Sequence, residues 1–330
     1  MTHSLNSSYK SVAIEEIPVL LTMFNRPDKT RAVIASLRLI KPKLLFIAAD
    51  GPRPTHSADT EKCRLAREET ALIDWPCEIK TRFLDDNQGC DAAIPSAIDW
   101  FFEQVEYGII VEDDCILSPD FFALCGDLFM RFADDLRIMQ ISSVSPYAAR
   151  EHQYDYHFSR MSRCHGGWAT WRRAWSHYTS DLRSFSDQEA LAILKASQPD
   201  YSTIAWQYHT LLKYKKGSSY FWRHWDFKWN LISAAHNGLC VVPEKNLLIN
   251  IGFDEDSTNT VETNPVLDNL RHEPISFPLR HPPFMYADRR PERSLEKKIY
   301  RSLPVKSRYM YVLRRLSGAC DYLREILPFG

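Results

Sequence analysis

The 330-residue chain lacks a glycine-rich phosphate loop: none of its eleven glycines forms G-x-G-x-x-G after the first apolar run, and G-x-x-x-x-G-K-[ST] does not occur. Both motifs need glycine to bring backbone N–H groups onto phosphate, so their absence argues against a dinucleotide Rossmann site and a P-loop. No apolar run approaches the roughly 20 residues that cross a bilayer. The opening stretch MTHSLNSSYKSVA has no apolar core of the kind a secretory signal requires. Eight cysteines are scattered from 63 to 320 without a C-x-x-C pair. That spacing suggests neither a zinc site nor a disulfide framework, and it places the chain in the cytoplasm with reduced thiols. An excess of one charge is also missing. Lys and Arg number 41 against 42 Asp and Glu, a net charge of −1, which excludes a whole-molecule electrostatic nucleic-acid binder.

What is present is an ordinary globular composition, 45% hydrophobic and 25% charged, with enough length to bury a substantial core. Apolar runs and amphipathic stretches alternate from residue 17 to 133. IPVLLTMF reads as a buried strand, broken by Asn25-Arg26-Pro27, with Pro27 suited to a first helical turn. LLFIAADGP is a second strand ending at Asp50-Gly51, CEIKTRFLDD a third, and YGIIVEDD a fourth; helical spacing separates them. The alternation predicts an α/β fold whose mostly parallel sheet is flanked by helices. In open sheets of that kind the ligand crevice lies outside the C-terminal strand ends.

The fourth strand runs directly into Glu112, Asp113 and Asp114. Three adjacent carboxylates repel one another, and burial worsens the repulsion. A solvated turn would tolerate them. At the end of a buried strand, with a second acid at Asp50, they suit a hard divalent cation, Mg2+ or Mn2+, which keeps waters and takes phosphate oxygens as further ligands. That chemistry points to a nucleoside-diphosphate substrate whose leaving group the metal stabilises.

The segment VEDDCILSPDFF resembles the metal-binding stretch of the GT-A nucleotide-sugar glycosyltransferases, in particular the Golgi N-acetylglucosaminyltransferase that starts complex N-glycans and its bacterial relatives. LLTMFNRPDKTRAVIASL, FIAADG, DDNQGCDAAIPSAIDWFF, GGWATWRRAW, HWDFKW and NLLINIGFDEDSTNT resemble further segments in chain order, so the likeness spans residues 17 to 260. It implies a donor-binding half at 17–145 and an acceptor-binding, catalytic half at 146–288 of one GT-A domain, between a polar N-terminus (1–16) and a C-terminal tail (289–330). By resemblance Asp114 is the metal ligand and Asp113 binds ribose or a metal-bound water. Glu112 orients that pair, Asp50 contacts uridine, and Arg26 faces the donor. Asp226 is the general base of an inverting transfer, and Trp225 walls the sugar pocket. Asp91 stands where bacterial relatives often carry a cation, which would shift the grip on the diphosphate to Arg82 or Lys80.

Plainer readings stand beside these. Asp226 would also suit the first turn of a helix starting near Trp225. His165 reads as structural, Gly252 with Asp254 to Asn259 as a polar turn or a lid over the donor, and the acids Asp254, Glu255 and Asp256 as solvated or as a second metal site. Seven of nine tryptophans lie between 168 and 229, either as core or as a sugar-stacking wall. From Arg289 to Arg324 eleven Lys and Arg alternate with apolar residues. This is a basic amphipathic helix that would lie on an anionic membrane, at its inner face, or would pack on its own domain. The expected partners are a nucleotide-sugar donor, a glycan or lipid-linked glycan acceptor and that membrane surface, with no nucleic acid. The competing functions are a sugar nucleotidyltransferase, whose glycine-rich N-terminal loop is absent, and a catalytically inactive nucleotide-sugar or glycan-binding protein.

Overall fold

The structure, a computed structural model, describes residues 11–145, 153–162, 164, 166–198, 201–218, 224–252 and 270–290. His165, Trp222, the Asp254–Asp256 turn and almost all of the C-terminal tail fall outside that set.

The predicted alternation is present. Strands β1 (Val19–Met23), β2 (Leu44–Ala49), β3 (Glu78–Phe83) and β4 (Tyr107–Glu112) alternate with helices α1 (Pro27–Leu37), α2 (Asp59–Glu68) and α3 (Cys90–Phe102). Then come β5 (Cys115–Leu117), α4 (Pro119–Arg131), β6 (Ile138–Ser142), β7 (Tyr156–Ser159), β8 (Gly167–Trp171) and α5 (Arg172–Trp175). Helices α6 (Asp187–Ser197), α7 (Tyr201–Lys215) and α8 (Trp225–Ala235) precede β9 (Leu239–Pro243) and β10 (Leu248–Asn250). Pro27 and Pro119 open their helices, where the missing N–H costs nothing.

Eight strands form one sheet in the order β3-β2-β1-β4-β8-β6-β9-β7. β3, β2, β1 and β4 are mutually parallel, β8 is antiparallel to both β4 and β6, and β9 is parallel to β6. Strands from both sequence halves therefore enter the same sheet. Its two faces bury different side chains. Leu21, Ile47 and Val111 pack with α1 and α4, while Leu20, Phe46 and Ile110 pack with α3 and α8. A strand buried on both faces cannot show polar alternation, which explains the unbroken apolar runs of β1 and β4. β3 lies at the sheet edge, and its burial is much lower.

The sheet reverses its build direction at β1: β2 pairs on one side and β4 on the other. That switch point opens a crevice at the C-terminal strand ends. A second, two-stranded sheet pairs β5 with β10 antiparallel, setting Asn250 opposite Cys115. It brings the chain around residue 252 back over the acids that follow β4. Among the described residues no helix is long and apolar enough to cross a membrane.

Candidate active site

Register places the acid triplet. Thr22 of β1 pairs with Glu112 of β4, so the residues just past the two strands, Arg26 and Asp113-Asp114, emerge side by side. The Arg26 guanidinium spans both acids, with Nη2 2.5 Å from Asp113 Oδ1 and Nη1 2.9 Å from Asp114 Oδ2. Asp113 Oδ2 also accepts the Phe24 N–H at 3.0 Å, and Asp114 Oδ1 accepts the Cys115 thiol at 3.1 Å. Glu112 Oε1 accepts the Gly166 N–H at 3.2 Å.

Burial governs the protonation of this cluster. It pushes the Glu112 carboxyl up to about 8, with the charges of Asp114 and Asp113 adding to the effect. Burial thus favours the neutral form of Glu112. Asp113 is raised to about 6, again by burial first, with the Arg26 charge pulling the other way. Burial disfavours the Arg26 cation, but Asp113 and Asp114 together hold its pKa above the ordinary guanidinium value. The guanidinium is the chain's own partial answer to three crowded carboxyl groups.

A cavity of about 370 Å3 opens here, within the range of small-molecule sites. Arg26, Asp50, Glu112, Asp113, Asp114, Trp225 and Asp226, all singled out from sequence, line it. Asp226 lines it from the first turn of α8, near enough for its charge to help raise the Glu112 carboxyl. Asp50 lines it too, but both its oxygens are engaged by the chain itself. Oδ1 accepts the N–H groups of Gly51 and Gln88, each at 2.8 Å, and Oδ2 accepts Asn87 Nδ2 at 3.0 Å and the Gly89 N–H at 2.9 Å. In this geometry Asp50 holds the 87–89 loop at the start of α3, and a bond to a ligand would compete with those donors.

Sequence reasoning missed several contributors. Arg53 lines the cavity, as do Asn87, Asn250 and Gly252. The Arg26 bridge had a readable precursor, a cation after one strand and acids after its parallel neighbour, but pairing of β1 with β4 was needed to join them. Of the two cations offered in place of the one missing at Asp91, Arg82 lines the cavity. Lys80 does not; it shares the α3-facing side of β3 with Arg82 but stands two residues further from the strand's C-terminal end, where its ammonium bonds Gln104 Oε1 at 2.7 Å and lies over the Phe46 ring. Asp91 itself pairs with buried Lys228 of α8 at 3.2 Å. Of the two readings of the tryptophans, the core holds for most. Trp168, Trp175 and Trp229 are at most 3% exposed, and their ring centroids lie 5.1 to 6.1 Å apart inside the core. Trp225 stacks on Trp168 and reaches the cavity.

The donor set suits a hard cation. Five carboxyl groups (Asp50, Glu112, Asp113, Asp114, Asp226) line the cavity against three guanidiniums (Arg26, Arg53, Arg82), and an acidic lining repels a diphosphate until further positive charge is added. Among the described residues no group of three or more His, Cys, Asp or Glu has metal-holding geometry.

No protein-family model matches this chain, and no curated protein sequence matches it. Several solved structures are similar at low identity. One is a mannosyltransferase from Pyrobaculum calidifontis in complex with GDP-Man and Mn2+, at 10% identity and TM-score 0.35, covering 70% of this chain and 72% of that one. A UDP-glucose pyrophosphorylase complexed with UDP-glucose is 9% identical at TM-score 0.33, covering 69% and 90%. A cytidylyltransferase from Leptospira borgpetersenii is 9% identical at TM-score 0.30, covering 49% of this chain and 62% of that one, less than two thirds of its length.

Proposed function

We propose that this chain transfers a sugar, with inversion, from a nucleoside-diphosphate donor, by resemblance a uridine one, to a hydroxyl of a glycan or lipid-linked glycan. The observation that carries this reading is that Asp226 and the Arg26–Asp113–Asp114 cluster, contributed by opposite halves of the sequence, line one cavity at the sheet's switch point. A sugar nucleotidyltransferase would use a glycine-rich loop after β1. Here the connection to α1 is Phe24-Asn25-Arg26, with no glycine.

Asp114, with Asp113 beside it, is the residue to hold a divalent cation. When bound, such an ion supplies Lewis-acid stabilisation to the departing diphosphate. Arg26 adds fixed positive charge at the same end of the cavity. Glu112, whose neutral form burial favours, is bonded to the Gly166 N–H. Asp226 takes the proton of the acceptor hydroxyl as the hydroxyl oxygen bonds the anomeric carbon. The bond from that carbon to the diphosphate breaks, its electrons leave with the phosphate oxygen, and the proton stays on Asp226. One base and no covalent intermediate are required. The basic segment from Arg289 to Arg324 is assigned to an anionic membrane surface, where a lipid-linked acceptor would be found.

The test is transfer and donor hydrolysis across a panel of nucleotide sugars, with and without Mn2+, alongside calorimetry. Asp114→Asn should lose metal-dependent binding of the nucleoside diphosphate. Asp226→Asn should bind it normally and transfer roughly 10²–10⁴-fold more slowly. Undiminished binding in the first variant removes the metal assignment, and near-native transfer in the second removes the base.

A further inference from the structure

Residues 270–290 form an extended strap across the molecule. It starts beside the acid site, where His272 Nε2 donates to the Ile116 carbonyl of β5 at 3.0 Å. The Ile275 N–H then bonds Asp120 Oδ2 at 2.9 Å. Further on, Arg280 closes on Asp155, with its N–H 2.6 Å from Oδ2 and Nη2 2.6 Å from Oδ1. The Asp288 N–H finally bonds the Phe158 carbonyl at the sheet edge at 2.9 Å. The backbone is thus fixed at several points along its length.

Its aromatic side chains are not covered. Phe277, Phe284 and Tyr286 are 44%, 73% and 59% exposed. Arg137 Nη2 lies 3.1 Å from Met285 Sδ, and Met130 of α4 and Leu136, in the turn before β6, are exposed by 37% and 72%. These five make up half of the ten large apolar side chains that stand exposed among the described residues. Rings pinned in water by a fixed backbone need a partner to account for them.

We infer that this strap is a membrane-insertion face, on which Phe277, Phe284 and Tyr286 enter the headgroup layer of an anionic bilayer. The inference rests on the membrane assignment of the basic tail and adds the apolar half of the contact. Charge complementarity selects the partner. The strap leads into Arg289 and Arg290, and between Arg289 and Arg324 eleven Lys and Arg face only Glu292, Glu296 and Asp321. Two of the strap's four arginines pair with acids, Arg280 with Asp155 and Arg290 with Asp288. The two contributions are therefore separable: the tail attracts through charge, and the rings hold by burial. Stable peripheral binding needs two such signals.

The experiment sediments the full chain with vesicles of phosphatidylcholine, alone or mixed with phosphatidylglycerol. Three proteins are compared: wild type, Phe284→Ser/Tyr286→Ser, and a chain ending at Asp288. Wild type should prefer the anionic vesicles. The serine pair should partition about tenfold more weakly, and more weakly still at high salt, where the tail's attraction is screened. Its thermal unfolding and nucleoside-diphosphate binding should not change. If the serine pair binds like wild type while the truncated chain does not, the strap inference is overturned and the tail assignment survives. If wild type ignores anionic vesicles, both are overturned. If the serine pair instead abolishes self-association of a chain that binds no vesicle, a second copy covers the strap and the inference is wrong.

Discussion

Gly252 lies directly against the carboxylate of Asp114. A Cβ at position 252 would overlap Asp114 Oδ2 and come 2.8 Å from its Cγ and 2.9 Å from its Cβ. Glycine is therefore required here by close approach. The position is fixed from both sides, since the Gly252 N–H bonds Asn250 Oδ1 at 2.7 Å and the Ile251 N–H bonds the Asp114 carbonyl at 2.8 Å.

Gly252→Ala should consequently act on the acid cluster without altering any charge. The added methyl must displace the Asp114 carboxylate or the β10 end, an overpacking cost of about 1–3 kcal/mol. The bond from Arg26 Nη1 to Asp114 Oδ2 is the first casualty. The expected result is a melting temperature lowered by a few degrees and a nucleoside diphosphate bound at least tenfold more weakly in the presence of Mn2+. Unchanged values for both would show that the 252 loop is free to move away from Asp114.

How much of this was legible in the sequence depends on where each constraint acts. β1, β2 and β4 announce themselves because both their faces are buried, and Pro27 and Pro119 mark helix starts. The acids after β4 and Asp226 were visible as residues, and the sheet brings them to one cavity. The β5–β10 pair was not visible. Three-residue strands carry no period, and Leu248 pairs with Leu117 across a separation no local pattern encodes. Nor could composition decide what the tryptophans do. Trp168 and Trp229 are as apolar in a core as in a sugar wall, and only packing separates the two roles.

A second test concerns pH and lies away from the acid triplet. The Asp59 carboxylate, 3% exposed, accepts Arg53 Nε at 2.5 Å, Arg53 Nη2 at 3.0 Å and Asn25 Nδ2 at 2.8 Å. The Arg53 hydrogen bond pulls its pKa down to about 2 against the opposing effect of burial, and Asn25 assists. A folded pKa below the unfolded value of roughly 3.9 means the stabilisation is complete above pH ~4 and disappears as pH falls toward ~2. It amounts to about 2 kcal/mol. Urea unfolding should find Asp59→Asn less stable than wild type at pH 6, with the gap closing across that acid window. A gap that stays constant down to pH 2.5 would mean the ionised carboxylate is not what stabilises the fold.

The last prediction concerns Lys228, which joins two helices that line the cavity. Its ammonium is buried, with a side chain 6% exposed, and lies 3.2 Å from Asp91 Oδ2. Lys228 is two residues beyond Asp226 on α8, and Asp91 is in the first turn of α3, so the pair ties the helix carrying Asp226 to another helix that lines the cavity. Burial raises the Asp91 pKa and Lys228 opposes that rise. Lys228→Met keeps the length of the side chain but leaves a half-buried carboxylate without its cation. Removing one partner of such a pair is more damaging than removing both, because the remaining charge is uncompensated. The single variant should lose about 1–3 kcal/mol at pH 8. The loss should shrink at acid pH, where Asp91, its pKa now higher still, takes up a proton. Adding Asp91→Asn should recover part of the stability at pH 8, since no charge is then stranded. Transfer should stay slow in both variants if the ion pair sets where Asp226 stands, while nucleoside-diphosphate affinity changes little. A double variant no more stable than the single at pH 8 would show that Lys228 contributes packing alone and that α3 and α8 are held together by their apolar contacts.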